Sequence, residues 1–365
     1  MSGTLVLAGG GTGGHVFPLL AVAEAFKELE PSLRLVFVGT ARGMEQRLVP
    51  ARGYELELLP VLPLRGGGLA QAGRALLRAG GLVPACLRLF ERLQVRGVLS
   101  IGGYAAGPMT LAAYLRGLPL GLIEPNSVPG LANRLAAPFT ERAYLAFPEA
   151  EQDFAPDQIR AFGVPIRQGF EAREYPRRVP GTPRRILVLG GSQGSKALNE
   201  TVPDAIASLS GPLFVRHQSG PATAPLVMDR YQAAQGKNPE LSFEVLPFIE
   251  DMPEALASAE LVIGRSGASA VSELLAVGRP SLLVPYPFAS GDHQKINALS
   301  LEREGAAICL PSEEASAVRL SHEIERLLGD EALLWRMAEA ARRLGRGQAA
   351  RAIAKDFISL LRERT

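Results

Sequence analysis

Three glycine-rich turns are places where this chain could bind a ligand, because each follows a short apolar stretch. Glycine at the start of a helix leaves backbone N–H groups open to a phosphate, a pyrophosphate or a closely held sugar. For any single turn, the alternative is that glycine only permits a tight bend, but three turns of one kind favour ligand binding. The turns are Gly9 to Gly14, Gly102-Gly103-Tyr104 and Gly190-Gly191-Ser192-Gln193-Gly194.

His15 directly follows the first glycine turn and is expected in the first turn of a helix. A helix N-terminus disfavours the imidazolium form, so a neutral ring here could act as a general base near neutral pH. The alternative is a histidine that only caps the helix. The remaining histidines, His217, His293 and His322, are too dispersed for a metal site, and no metal or cofactor is predicted.

A further ligand site is indicated by RSGASAVSE, from Arg265 to Glu273. Backbone amides of Ser266 to Ser269 at a helix start would suit a diphosphate. Glu273, one or two turns later, could accept hydrogen bonds from both hydroxyls of a ribose. The alternative is that this carboxylate only compensates the helix dipole.

The pattern of the chain predicts the scaffold that positions these turns. Short β-branched runs such as TLVLAGG, LRLVFVGT and GVLSIGG alternate with longer helical stretches, which is typical of a parallel α/β sheet. Beyond Gly163 the rhythm restarts with RRILVLGGSQGSKALNE, after a segment rich in Pro and Arg. Since the chain has 365 residues and a domain has ~150, we predict two doubly wound domains facing each other across a cleft.

The composition excludes several classes of protein. With 47% hydrophobic and 21% charged residues, the chain is not disordered. Cys86 and Cys309 lie far apart, which excludes a disulfide scaffold and a zinc cluster. The opening MSGTLVLAGG has no basic stretch before an apolar one, so we expect no signal peptide and a cytosolic location. A long uncharged run, Val98 to Leu115, is interrupted by glycines and Pro108, which predicts a strand, a loop and a helix start rather than a membrane span.

The net charge of +2 conceals one strongly basic segment. Residues 65–96 contain six arginines and a single acid, Glu91, an excess of five (six minus one). Apolar residues separate these arginines, which include Arg74, Arg78 and Arg88, as in a helix that lies on an anionic phospholipid surface. The alternative is the solvated face of ordinary packed helices. No nucleic-acid partner is predicted.

Six ordered motifs resemble those of the MurG family, bacterial glycosyltransferases that add N-acetylglucosamine to undecaprenyl-pyrophosphoryl-N-acetylmuramyl-pentapeptide (lipid I) to form lipid II. The resemblance runs from about Gly9 to Ala298, and it implies an α/β fold with two Rossmann-like domains in the GT-B arrangement. It implies an acceptor and membrane-facing domain over 1–163, a UDP-N-acetylglucosamine donor domain over 164–345, and a C-terminal helix over 346–365 that returns to the first domain. The motifs are GGGTGGHVFP, GGYAAGP, IEPN, GGSQGS, PFIEDM and RSGASAVSE followed by GRPSLLVPYP and DHQKINA.

The resemblance also implies roles for individual residues. Uracil would meet the backbone of Ile249, the ribose would meet Glu273, and Arg167 would contact the donor. Gln294 and Asn126 would hold sugar hydroxyls. The chain departs from the family pattern at two motifs. Ile123-Glu124-Pro125-Asn126 stands where the family has His-Glu-Gln-Asn, and Gly163-Val164-Pro165 stands where it has Gly-Asn-Pro. The donor diphosphate would be lined by Ser192, Ala268, Ser269, Ala270, Val271 and Ser272, and the sugar and the acceptor pyrophosphate by Thr12, Gly13, Gly14, Gly102, Gly103 and Tyr104.

The reaction implied is an inverting transfer to the muramyl 4-hydroxyl, with His15 as the base and helix N-termini, together with Arg265 or Arg167, stabilising the leaving diphosphate. Such an enzyme would bind peripherally at the cytoplasmic face of the cell membrane, which favours the membrane interpretation of the basic segment. Three alternatives stay open at this point: a sugar-nucleotide epimerase, a nucleotide-binding membrane adaptor, and a nicotinamide oxidoreductase. The last is disfavoured because LRLVFVGT ends without the acid that would bind a ribose.

Overall fold

The protein is described by a computed structural model that covers residues 3–11, 13–41, 43–61, 69–103, 105–191 and 193–364, with backbone alone for 69–79 and 290. The chain folds into two compact units. The first comprises Met1–Gln168 together with Gln348–Thr365, and the second comprises Gly169–Gly347. The last helix of the chain therefore belongs to the first unit.

The first unit is built on a seven-stranded sheet. Its strands are β1 (Gly3–Gly9), β2 (Leu33–Thr40), β3 (Glu55–Leu59), β4 (Val95–Gly102), β5 (Leu120–Glu124), β6 (Arg142–Leu145) and β7 (Ile159–Arg160). All pairs are parallel, in the order β3-β2-β1-β4-β5-β6-β7. The direction of winding reverses between β1 and β4, and ligands of open parallel sheets bind at such a switch point.

Helices cover the apolar faces of this sheet. They are α1 (Gly13–Leu29), α2 (Glu45–Leu48), α3 (Leu69–Leu93), α4 (Ala106–Arg116), α5 (Leu131–Ala136) and, from the far end of the chain, α13 (Ala349–Glu363), with 3-10 turns at Pro50–Arg52, Ala137–Phe139 and Pro148–Asp153.

Helix α13 completes the core of the first unit. Phe357 is fully buried, and its ring meets Phe26 of α1 edge to face at 6.3 Å. A side chain at Gly97 or Gly121 would collide with α13, so these two glycines leave the space that the helix fills. Beside Phe357, Asp356 accepts a 2.8 Å hydrogen bond from the hydroxyl of Tyr144, and burial together with this acid raises the pKa of that hydroxyl.

The second unit repeats the plan with six parallel strands in the order β10-β9-β8-β11-β12-β13. They are β8 (Arg184–Leu189), β9 (Leu213–Gln218), β10 (Leu241–Leu246), β11 (Leu261–Gly264), β12 (Ser281–Leu283) and β13 (Ala307–Cys309). The helices are α6 (Lys196–Ile206), α7 (Ala224–Lys237), α8 (Met252–Ala257), α9 (Ala268–Val277), α10 (His293–Arg303), α11 (Ala317–Gly329) and α12 (Glu331–Leu344), with a 3-10 turn at Ser290–Asp292. Two doubly wound Rossmann-like units confirm the predicted fold class.

Arg279, just after α9, is fully buried and ties several segments of the second unit together. Its guanidinium donates to carbonyl oxygens at the ends of α8 and α9, including Leu256 at 2.9 Å and Gly278 at 2.8 Å, and to Glu174 of the preceding segment at 2.9 Å. Burial lowers the pKa of Arg279 to about 10. Neutral carbonyls at helix C-termini carry partial negative charge, which suits a buried cation.

Candidate functional site

In the first unit, the side chain of His15 contacts the backbone of the loop between β1 and α1. The Nδ1 atom of His15 lies 3.0 Å from the carbonyl oxygen of Gly10. A carbonyl oxygen only accepts hydrogen bonds, so Nδ1 carries the hydrogen in this contact. In the neutral ring, Nε2 then carries the lone pair, which is the form that a general base needs.

The loop after β4 meets this first glycine loop. Gly102 and Gly103 have φ values of 90° and 88°, which favour glycine. A methyl group at Gly103 would lie 2.9 Å from the Gly10 carbonyl oxygen and 3.4 Å from Nδ1 of His15. The structure therefore brings these two predicted loops together at the switch point, whereas Thr12 and Tyr104 lie outside the described residues. Gly13 and Gly14 form the start of α1.

Glu45, the first residue of α2, is only 1% exposed and was not predicted from the sequence. Its Oε2 accepts the Gly11 N–H at 2.8 Å. Its Oε1 accepts the N–H and the hydroxyl of Thr40 at 2.9 and 3.1 Å. Strand β2 ends without an acid, as predicted, but an acid five residues later folds back to the end of that strand. Gly39 and Gly43 precede this glutamate in the sequence and leave space for it, because a side chain at either glycine would collide with it.

Asn126 belongs to a buried network around Glu124 at the end of β5. Glu124 accepts the backbone and side-chain N–H groups of Asn126 at 3.0 and 3.3 Å, and the side-chain amide of Asn133 at 2.9 Å. Burial raises the pKa of Glu124, although these N–H donors oppose the shift. Oδ1 of Asn133 is buried beside Gly102 without a hydrogen-bond partner among the described residues. Ile123, which departs from the family motif, is fully buried in the core.

Arg167, which sequence analysis placed in the second domain, lies in the first unit. Its guanidinium carbon is 5.4 Å from the ring centroid of Phe17, two residues beyond His15 in α1. Val164, the other departure from the family, is 1% exposed. Arg167 therefore contacts helix α1, the helix that begins at the first glycine loop.

In the second unit, the start of α9 is open for an anion. Gly267 precedes the helix in an extended conformation, and no side chain caps the helix. The first N–H groups of a helix have no acceptor inside it. The hydroxyl of Ser269 is buried without a hydrogen-bond partner in the described part of the chain. Ala270, Val271, Ser272 and Glu273 follow in the same helix, and Glu273 is half-buried.

Gln294 is held close to this helix start by α10. Ser266 donates its hydroxyl to the Gln294 carbonyl oxygen at 2.7 Å, and Tyr286 donates its N–H to Oε1 of Gln294 at 3.0 Å. Asn297 donates to the Ser266 carbonyl oxygen at 3.1 Å. The predicted residues from Ser266 to Gln294 therefore form one constellation.

Ile249 is buried, and its N–H donates to Oε1 of Gln218 at 3.0 Å. Gln218 in turn donates to the Gly191 carbonyl oxygen at 3.1 Å, so Ile249 is linked to the third glycine loop. Since the Ile249 N–H is already bound, a base recognised by this backbone would meet its carbonyl oxygen. Ser192 of the same loop lies outside the described residues.

Arg265, just before α9, uses its guanidinium to hold neighbouring loops. It donates to the Ser195 hydroxyl at 2.9 Å and to the carbonyl oxygens of Val284 and Pro285 at 3.0 and 2.8 Å. Burial lowers the pKa of Arg265. Within the described residues, no group of three or more His, Cys, Asp or Glu side chains could hold a metal ion.

Exposed apolar side chains lie on the helices next to the basic segment. Tyr114 of α4 packs against Phe139, with ring centroids 4.5 Å apart and ring planes tilted by 30°, and both side chains are exposed. Arg88 of α3 is exposed, whereas the structure describes only the backbone of Arg74 and Arg78. No helix of the described residues is long and apolar enough to cross a membrane. Further exposed apolar side chains are Leu115, Leu131 and Leu135.

Comparison with known proteins identifies the family. Models of the glycosyltransferase family 28 N-terminal and C-terminal domains match residues 5–145 and 185–357. A crystal structure of Acinetobacter baumannii MurG superposes with a TM-score of 0.81 at 31% identity, covering 97% of this chain and 98% of that one. The chain belongs to the MurG family. This confirms the resemblance drawn from the ordered motifs.

Two curated relatives share this membership over nearly their whole length. Both are named UDP-N-acetylglucosamine--N-acetylmuramyl-(pentapeptide) pyrophosphoryl-undecaprenol N-acetylglucosamine transferase. The protein of Sorangium cellulosum (strain So ce56) is 49% identical, covering 98% of this chain and 89% of its own. That of Methylococcus capsulatus is 42% identical, covering 97% and 98%. A putative UDP-N-acetylglucosamine 2-epimerase from Listeria monocytogenes, 16% identical with a TM-score of 0.68 over 100% of this chain and 98% of that one, shares the fold.

Proposed function

We propose that this chain transfers N-acetylglucosamine from UDP-N-acetylglucosamine to the muramyl 4-hydroxyl of lipid I, forming the β-1,4 bond of lipid II. The observation that carries the proposal is His15, held with Nδ1 on the Gly10 carbonyl oxygen where the glycine loops of β1 and β4 meet. The names of relatives 42–49% identical over nearly the full chain supply the substrate pair.

The donor is assigned to the second unit. The open start of α9 would bind the diphosphate through backbone N–H groups and the Ser269 hydroxyl. Glu273 would accept the ribose hydroxyls, and Gln294 would bind the sugar. The uracil would meet the carbonyl oxygen of Ile249, whose N–H already donates to Gln218.

The acceptor is assigned to the first unit, whose two glycine loops would receive the muramyl sugar and the pyrophosphate of lipid I. The 4-hydroxyl attacks the anomeric carbon, its proton passes to Nε2 of His15, and the bond to UDP breaks with inversion. Negative charge then grows on the departing diphosphate. The N–H groups at the start of α9 would stabilise it, with Arg265 preceding them in the chain.

A peripheral position on the cytoplasmic face of the cell membrane follows from the lipid-linked acceptor. Support comes from exposed apolar side chains of α4 and α5, with Arg88, Arg116 and Arg134 exposed on the same group of helices. Apolar side chains buried in the headgroup region, together with arginines near anionic lipids, are how peripheral proteins attach to membranes.

The decisive experiment is transfer of labelled N-acetylglucosamine from UDP-N-acetylglucosamine to a lipid I analogue, followed by analysis of the product linkage. We expect a disaccharide-lipid product and one UDP released per transfer. An altered sugar nucleotide formed without acceptor would instead indicate an epimerase. No UDP release above background with acceptor present would indicate a non-catalytic binding protein.

A further inference from the structure

Glu45 and His15 are connected through one peptide group. The Gly10–Gly11 peptide donates its N–H to Oε2 of Glu45 at 2.8 Å, and its carbonyl oxygen lies 3.0 Å from Nδ1 of His15. Because the peptide is trans, its N–H and C=O point in opposite directions. The carboxylate and the imidazole thus sit at opposite ends of the same dipole.

We infer that Glu45 is the positioning residue for His15, acting through the Gly10–Gly11 peptide. A carboxylate at the N–H end polarises the peptide and strengthens its carbonyl oxygen as an acceptor. That carbonyl then holds Nδ1 in the protonated state and keeps Nε2 as the proton acceptor. In hydrolases with a histidine base, an acid fulfils this task by contacting the imidazole directly; here a peptide group stands between them.

The surroundings of Glu45 support a specific role in positioning the Gly10–Gly11 peptide rather than an incidental burial of the acid. Its three donors, one from Gly11 and two from Thr40, are all neutral, and they clamp the end of β1 to the end of β2. A side chain at Gly10, Gly39 or Gly43 would collide with the carboxylate group or its stem. Three glycines therefore make room for one carboxylate beside the peptide it binds.

The same carboxylate closes one side of the first glycine loop. In dinucleotide-binding Rossmann domains, an acid after β2 binds a ribose and the loop amides bind the pyrophosphate. Here the acid has taken the Gly11 N–H for itself, and its negative charge disfavours an anion at the ends of β1 and β2. A pyrophosphate is accordingly directed to the side of β4, where Gly103 and His15 lie.

The inference rests on His15 being the base of the proposed function, so the test includes a readout that needs no substrate. With 15N-labelled histidine, long-range 1H–15N spectra distinguish the two neutral tautomers, and His15→Gln assigns the signals among only four histidines. We expect wild-type His15 to be protonated at Nδ1. In Glu45→Gln, which preserves shape but has a single acceptor oxygen, we expect a mixture of tautomers.

Kinetics supply the second readout. For Glu45→Gln, kcat should fall roughly 10- to 100-fold, the effect expected when a catalytic group is misplaced, while the donor KM stays within about twofold because Glu45 lies outside the donor unit. Glu45→Asp, which retains the charge, should recover part of the loss. Glu55→Gln, an exposed acid on β3, is the matched control and should behave as wild type.

The outcomes separate the two proposals. A folded Glu45→Gln variant with the wild-type tautomer and wild-type kcat would overturn the role of Glu45. Equal losses in kcat and donor affinity would overturn it as well, because they indicate a general structural defect. A wild-type protein that shows the Nδ1 tautomer yet transfers no sugar to lipid I would overturn the proposed function and leave the positioning of His15 intact.

Discussion

Glu45 and His15 contact the two ends of the Gly10–Gly11 peptide. Glu45 accepts the N–H of a residue 34 positions away, and His15 contacts the carbonyl oxygen of a residue 5 positions away. The contact couples the ends of two neighbouring strands to the side chain proposed as the base. Short-range hydrogen bonding within the loop would orient His15 only loosely, because glycine can adopt many backbone conformations. The long-range carboxylate removes that freedom.

Replacing His15 with alanine should lower kcat by ~10²-fold or more, the usual contribution of a general base. Donor binding should change little, since the donor is assigned to the second unit. Transfer assays together with calorimetric titration of UDP-N-acetylglucosamine measure the two quantities separately. His322→Ala, on the exposed side of α11, is the control. Unchanged turnover in His15→Ala would remove His15 from the mechanism.

Replacing Glu273 with alanine should weaken donor binding by about tenfold or more, because hydrogen bonds to a charged group contribute about 1.5–3 kcal/mol. At saturating donor, kcat should fall much less. Titration of UDP gives the affinity without turnover, and Glu325→Ala, at an exposed position of α11, controls for loss of negative charge. If UDP binds the variant as tightly as wild type, the ribose role is wrong.

Reversing the charge of Arg74, Arg78 and Arg88 to glutamate should abolish sedimentation with vesicles containing anionic phospholipid. Binding to neutral vesicles should be weak for both proteins, because neutral lipids do not attract the arginines. Arg336→Glu on α12 of the second unit, an exposed position, should leave sedimentation unchanged. Persistent binding of the triple variant would favour the solvated-face interpretation of the basic segment.

Acid should destabilise the fold through His217. This side chain is fully buried, accepts from Tyr231 at Nδ1 (3.1 Å) and donates from Nε2 to Asn199 (3.0 Å). Burial lowers its pKa from 6.5 to about 3. Below pH 6.5 the unfolded state binds the proton that the folded state excludes, so stability is fully present above pH 6.5 and falls toward pH 3.

The loss should be at most about 1.4 kcal/mol per pH unit from this one group. Urea unfolding at pH 7, 6, 5 and 4 measures it, and His217→Gln, which does not titrate, supplies the reference. The difference in slope between the two proteins isolates the histidine from all other groups. Parallel slopes below pH 6.5 would show that His217 titrates normally in the folded state.

The parts of the candidate site that could be predicted are those set by local sequence. Strand, glycine turn and helix follow one another within a few residues, so His15, Gly102, Gly103 and the start of α9 could be placed from spacing alone. Both sheets and the family followed from the same alternation and motifs.

The parts that could not be predicted depend on tertiary contacts. Glu45 reaches a backbone N–H 34 residues away, and nothing in its immediate sequence states which strand end it will meet. The predicted boundary at residue 164 placed Arg167 in the donor domain, but its guanidinium packs on Phe17 in the first unit. The Ile249 N–H is occupied by Gln218, a side chain on another strand. Each depends on how the sheet is assembled.

The membership of α13 in the first unit has a consequence for biosynthesis. Phe357 and its neighbours fill the core of a unit whose strands are complete by residue 160. During translation, those strands leave the ribosome nearly two hundred residues before the helix that covers them, and the whole second unit is made in between. An apolar face of the first unit therefore stays uncovered during translation until α13 has left the ribosome.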